Sequence, residues 1–114
     1  MAKINSRQKG KRGELQFVDV LRKHGIVARR GQQYAGTADG ESPDVIHDLP
    51  GIHFEVKWVE RLNIWDAMAQ ARLDCGGKTP VVAHKRNGTG WLVTMPVEDF
   101  LAMLGKGKMD FSDL

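Results

Sequence analysis

The stretch Ser42–Glu60, SPDVIHDLPGIHFEVKWVE, decides how this chain folds. Two apolar runs, Val45-Ile46 and Ile52–Val59, flank a turn signal at Leu49-Pro50-Gly51, the pattern of two strands joined by a short connection. Yet Asp44 stands at the mouth of the first run, and Glu55 and Lys57 lie inside the second. Side chains two apart in a strand share a face. Glu55 and Lys57 therefore project together, while Phe54, Val56 and Trp58 project to the opposite face, where a helix can cover them. If the strand that Asp44 opens pairs alongside, the Asp44 carboxylate comes close to Glu55. Carboxylates held close repel unless a cation lies between them or one takes a proton. Oxygen donors of this kind suit a hard ion, with Mg²⁺ the physiological choice and Mn²⁺ a substitute. Lys57 beside such an ion can orient or deprotonate a water, or neutralise charge building on a phosphate.

Taken alone, Glu-x-Lys is also an ordinary same-face ion pair, and Pro43-Asp44 an ordinary turn entry. Their combination, preceded by a helix with Glu14 near its start, is what points to chemistry. Upstream, KRGELQFVDVLRKHG places Leu15, Phe17, Val18 and Leu21 at helical spacing, with Gly25 as a stop, and IVARR follows as a short strand. GQQYAGTADGES is a polar, glycine-bearing loop, longer than a structural turn needs. Downstream, NIWDAMAQARLDCGG predicts a helix capped by Asn63 and ended by Gly76-Gly77. TPVVAHK and GWLVTM flank the turn-rich RNGTG and read as paired strands, and PVEDFLAML is a short helix with proline in its first turn. The order helix, three strands, helix, two strands, helix predicts an α/β domain with a single mixed central sheet flanked by helices. Its expected bounds are 11–104, between a flexible basic arm at 1–10 and a tail at 105–114.

The 114 residues allow one domain, and 41% hydrophobic content allows one modest core. No apolar run is long enough to span a membrane, and no signal peptide follows the basic N-terminus, so no membrane partner is expected. The single Cys75 excludes an internal disulfide and a multi-cysteine zinc site, which fits a reducing cytoplasm. His24, His47, His53 and His84 lack metal-ligand spacing and read as structural. Trp58, Trp65 and Trp91 read as core or subunit-interface aromatics. Charge is unevenly spread. Residues 1–30 hold nine Lys/Arg against Glu14 and Asp19, a net +7, whereas the remainder holds eight against twelve, a net −4. A basic end on an acidic body suits a polyanion docking at one region. Lys9, Lys11 and Arg12, just before Glu14, can grip phosphates, Arg29 and Arg30 end a strand beside the long loop and are DNA-contact candidates, one of which can instead be a surface pair, and Tyr34 in that loop can wedge against an exposed base.

Together Pro43-Asp44, Glu55-Val56-Lys57 and the helix glutamate resemble the PD-(D/E)xK nuclease superfamily. More narrowly, SRQKGKRGELQFVDVLRKHGIVARR followed by a glycine-bearing loop is similar to the opening of the archaeal and phage-type Holliday junction resolvases. The resemblance runs from about Ser6 to Thr94 and implies a restriction endonuclease-like core. It also implies Mg²⁺-dependent hydrolysis of DNA phosphodiesters, with branched DNA and four-way junctions as the substrate and no small-molecule substrate. Asp44, Glu55 and the Val56 carbonyl would hold the metal, Glu14 would complete the site, Lys57 would serve the water, and Gln70 would support the lysine or the phosphate. The loop ARRGQQYAGTADGES departs from the short serine-containing loop of the archaeal enzymes. Flap or nicking nucleases of the same superfamily are the alternative, followed by a DNA-binding module without catalysis. The small size resembles phage-encoded members. Paired cuts on a two-fold junction imply a homodimer, for which Trp65, Met68, Trp91 and DFLAML offer apolar surface.

Overall fold

The computed structural model describes residues 6–31 and 43–105. Its elements follow the expected order: α1 (Ser6–Lys23), β1 (Ala28–Arg30), β2 (Val45–His47), β3 (Ile52–Trp58), α2 (Ile64–Asp74), β4 (Thr79–Lys85), β5 (Leu92–Thr94) and α3 (Val97–Met103). Helix α1 begins at Ser6, so residues 6–10, expected as part of a flexible arm, form its first turns. Tyr34, most of its loop, and the tail after Gly105 lie outside the described residues.

Strands β3 and β4 pair in parallel with Ile52 opposite Thr79 and Trp58 opposite Lys85, and β5 adds antiparallel to β4. A parallel pair needs a crossover, and α2 supplies it. The two faces of this sheet are separated by the alternation along β4. Val81 and Ala83 join Phe54, Val56, Phe17, Val18 and Leu21 beneath α1. Val82 points the other way, to Ala67, Met68 and Ala71 of α2. Small alanines let α2 lie close to the sheet. Phe17 is the centre of the first layer, edge-on to Phe54 at 5.1 Å and tilted against Trp91 at 5.2 Å. Leu15, placed on the buried stripe by its apolar character, is 47% exposed. Two residues along a helix turn through more than half a circle, so Leu15 cannot share the face of Gly13 and Phe17.

Asn63 caps α2 as expected, its side-chain oxygen accepting from the N–H groups of Trp65 and Asp66. Helix α3 starts after Pro96 and buries none of its residues. Among the described residues, no helix is long and apolar enough to cross a membrane.

The mixed, helix-flanked sheet carries one feature that the strand pattern does not predict. β1 and β2 form their own antiparallel pair, and the backbone ladder is interrupted between β2 and β3. Side chains bridge that seam. Asp44 Oδ2 accepts from the Val56 N–H at 2.9 Å, and His47 Nε2 lies 2.9 Å from the Ile52 carbonyl oxygen. The other ring nitrogen of His47 accepts from the Leu49 N–H at 3.0 Å, so the imidazole proton resides on Nε2, which donates to Ile52. Burial of the ring lowers its basicity and favours this neutral form.

Candidate active site

The seam between β2 and β3 is where the acidic residues meet. Asp44 enters from the residue just before β2, and Glu55 and Lys57 from one face of β3. Glu14 comes from α1, whose approach is set by Gly13. A Cβ on Gly13 would stand 3.2 Å from the Trp58 Cβ, tighter than ordinary packing, so the absent side chain lets this turn of α1 close on β3. A side chain at this position requires Trp58 or this turn of α1 to give by a few tenths of an ångström.

Glu14 is fixed by Arg30, whose Nε donates to Oε1 at 2.7 Å. Burial nevertheless holds the Glu14 carboxyl above its ordinary range: Arg30 opposes the shift, and the charge of Glu55 adds to it. Asp44 is displaced further, to about 6. Burial is the main cause. The Val56 N–H counteracts it, and the negative charges of Glu55 and Glu14 reinforce it. Lys57 favours the ionised form of both carboxyls. Four residues from three separate chain segments thus act on one another electrostatically.

Glu55 is 8% exposed and has little to offset its charge. Lys57 Nζ stands 3.9 Å from Oε1, and His53 Nε2 stands 3.5 Å from Oε2. His53 Nε2 is itself buried without a hydrogen-bond partner. A buried polar atom beside an undercompensated carboxylate is costly for the fold alone. His53, Glu55 and Lys57 occupy alternate positions of one strand and hence one face. That period-two relation was available in the sequence, but the absence of a second histidine at ligand spacing left His53 read as structural.

Among the described residues no three His, Cys, Asp or Glu side chains form a ready metal cage. Mg²⁺ is commonly held by one or two carboxylates, with water and phosphate completing its shell, so the donor set here still suits it. Asp44 and Glu55 are hard oxygen donors whose mutual repulsion a cation would relieve. A strand residue directs its N–H and C=O to the same side, so the Val56 carbonyl faces the edge on which its N–H meets Asp44.

Other expected site residues are placed differently. Gln70 does not support the lysine: it lies exposed on α2 and donates its amide N–H to Asp74 Oδ2 at 2.9 Å. An i,i+4 partner on its own helix satisfies it. Arg30, expected at the DNA, is turned inward to Glu14, whereas Arg29, its neighbour on β1, faces solvent. Lys9 is half-buried and Lys11 and Arg12 are exposed, all on α1 ahead of Glu14.

No family model and no curated protein sequence matches the chain. Among solved structures it is similar to Hjc, a Holliday junction resolvase from the archaeal hyperthermophile Archaeoglobus fulgidus, with a TM-score of 0.52. The two share 24% sequence identity over 74% of each chain. The framework that brings Glu14, Asp44, Glu55 and Lys57 together is therefore an α/β fold shared with that archaeal Holliday junction resolvase.

Proposed function

We propose that this chain is a metal-dependent DNA endonuclease that acts on branched DNA, resolving four-way junctions by paired phosphodiester hydrolysis. The observation that carries this reading is the convergence of Asp44, bonded to the Val56 N–H across the seam, with the buried Glu55, the adjoining Lys57 and the Arg30-bound Glu14. Asp44, Glu55 and the Val56 carbonyl would hold Mg²⁺, with Mn²⁺ as a substitute. When bound, the ion supplies charge neutralisation at the scissile phosphate and a more acidic water. Lys57, the most exposed member of the cluster, orients that water or receives its proton, and offsets charge on the phosphate. Glu14, restrained by Arg30, completes the acidic rim. Lys9, Lys11 and Arg12 lead DNA toward the cluster by neutralising flanking phosphates. The test is incubation of the protein with labelled four-way junction, flap and linear duplex, with and without Mg²⁺. Symmetric paired nicks confined to the junction and dependent on Mg²⁺ are the expected result, and an intact junction refutes the proposal.

Two incisions call for two sites, and we infer a homodimer. Of the surface expected for it, Trp65 and the DFLAML segment are exposed, and two other members are not. Met68 is 8% exposed beneath α2, and Trp91 packs on Phe17, so neither is free for an interface. Trp65 is 81% exposed, and α3 presents Val97, Phe100, Leu101 and Leu104, each between 46% and 59% exposed. Leu92 and Val93 of the edge strand β5 are exposed as well, one on each face of the strand. An apolar helix with no buried residue beside an open strand edge is the anatomy of a subunit contact. Sedimentation at micromolar concentration should show twice the 12.7 kDa chain mass. A monomer, with and without junction DNA, would direct the same chemistry to single nicks.

A further inference from the structure

The basic and aromatic residues at the C-terminal ends of β3 and β4 have no part in the acid cluster. Trp58, the last residue of β3, follows Lys57 directly and is half-buried. Its indole N–H donates to Asn87 Oδ1 at 3.0 Å, and the Asn87 backbone N–H donates to Glu60 Oε2 at 2.7 Å. These bonds fix the ring between α1 and the β4–β5 connection. On one side a cleft of about 240 Å³ is lined by Lys9, Arg12, Trp58 and Asn87, with the Arg12 guanidinium 5.8 Å from the ring centroid. Lys85 Nζ also lies over this ring, 4.6 Å from the same centroid. Lys85 is immobilised by Gln16 Oε1 at 3.0 Å, an oxygen that also accepts from the Trp91 indole N–H at 2.9 Å. Beyond Lys85 a larger cleft of about 640 Å³ has Arg61 and Arg86 in its wall. Its one acid, Glu60, is engaged with Asn87.

Packing explains the fixed members of this group, Trp58, Asn87, Lys85 and Gln16. It does not explain why Lys9, Arg12, Arg61 and Arg86 gather around them with no salt bridge among the described residues. Crowded like charges oppose folding and suit a polyanion. An upright indole among cations is the arrangement that binds unpaired nucleic acid, because a base stacks on the ring while adjoining phosphates meet the cations. Bases inside a duplex are already stacked and cannot offer a face. The ligand chemistry is therefore an unpaired DNA strand, as becomes available where base pairing opens at a branch point.

We propose that Trp58 is the stacking platform of a subsite for an unpaired strand. Lys9 and Arg12 receive the phosphate on one side, and Arg61 and Arg86 receive those on the other. Lys85, held by Gln16, stays beside the ring as a fixed cation. Arg12, exposed and without a hydrogen-bond partner among the described residues, moves to the phosphate as a base takes its place over the ring. This subsite deepens the endonuclease reading and names the feature of branched DNA that it would recognise.

The test uses the intact chain in EDTA, with a labelled oligothymidylate of about ten nucleotides, within the span of known single-strand sites. A blunt duplex serves as the control. Trp58→Ala should weaken oligothymidylate binding about tenfold, the loss expected for one stacked base, and leave duplex binding unchanged. Trp58→Phe, which retains a π face, should recover most of that loss. Wild-type affinity of Trp58→Ala for the oligothymidylate overturns the proposal, as does an equal loss for both ligands. Should Trp58→Ala fail to fold by circular dichroism, Arg12→Gln combined with Arg86→Gln takes its place. That double variant should lower the salt slope of single-strand binding by about two units, and an unchanged slope overturns the proposal. Because no Mg²⁺ is present, the result is separate from cleavage: an inert wild type with Mg²⁺ refutes the nuclease, and only the binding comparison refutes the subsite.

Discussion

Asp44→Asn is expected to abolish cleavage while making the fold more stable at neutral pH. The amide oxygen can still accept from the Val56 N–H, so the seam between β2 and β3 keeps its bridge. What disappears is the charge that would hold the metal, together with its repulsion by Glu55 and Glu14. The sign of the pH effect follows from the raised carboxyl. With a folded-state value of about 6 against 3.8 unfolded, the native protein binds the extra proton between these limits. The stabilising contribution of protonated Asp44 is whole below about pH 4 and is lost as pH rises through 6. At pH 7 the ionised group costs the wild type on the order of 3 kcal/mol, an upper bound that Asp44→Asn avoids. Urea denaturation should show the two proteins converging near pH 4 and the variant ahead at pH 7. Added Mg²⁺ should narrow that gap by stabilising only the wild type. Turnover by Asp44→Asn at the wild-type rate would remove Asp44 from the site.

Lys57→Ala is expected to lower the cleavage rate by about 10²-fold or more with metal and DNA binding nearly unchanged, as for a group that acts mainly in the transition state. The side chain is 37% exposed and lies 3.9 Å from Glu55, too far for a strong hydrogen bond. Its removal therefore takes little from the fold, and circular dichroism should superimpose on the wild type. Single-turnover kinetics at saturating DNA isolates the chemical step. An unfolded Lys57→Ala would assign the lysine to a structural pair with Glu55 instead.

Much of this was legible from residues 42–60. Period-two alternation put Glu55 and Lys57 on one face of β3 and sent Phe54 and Val56 to the layer beneath α1, and both hold in the structure. Asn63 and Gly76-Gly77 marked the ends of α2 because caps act locally, within a few residues of their own position. What escaped was decided by partners distant in sequence or by competing local ones. Arg30 offers the same guanidinium to DNA or to an acid, and the packing of β1 against α1 brings it to Glu14. Gln70 found Asp74 on its own helix. The break between β2 and β3 was invisible because a side-chain carboxylate there occupies the place of a backbone acceptor. His53 was discounted on spacing, although its position two residues before Glu55 placed it beside that carboxylate.

The bond between Gln16 and its two partners also bears on when the protein becomes competent during synthesis. Lys85 and Trp91 follow Gln16 by 69 and 75 residues, and β4, the parallel neighbour of β3, begins only at Thr79. Glu14, Asp44, Glu55 and Lys57 have all been translated before any of these supports exists. A nascent chain therefore carries its full set of acids on an unpaired β3, with α1 fastened at one side only. Contacts of such long sequence separation form late, after the entropy of closing the intervening chain has been overcome. The acid cluster therefore lacks its full support until the last third of the sequence, which contributes none of its members, has been made.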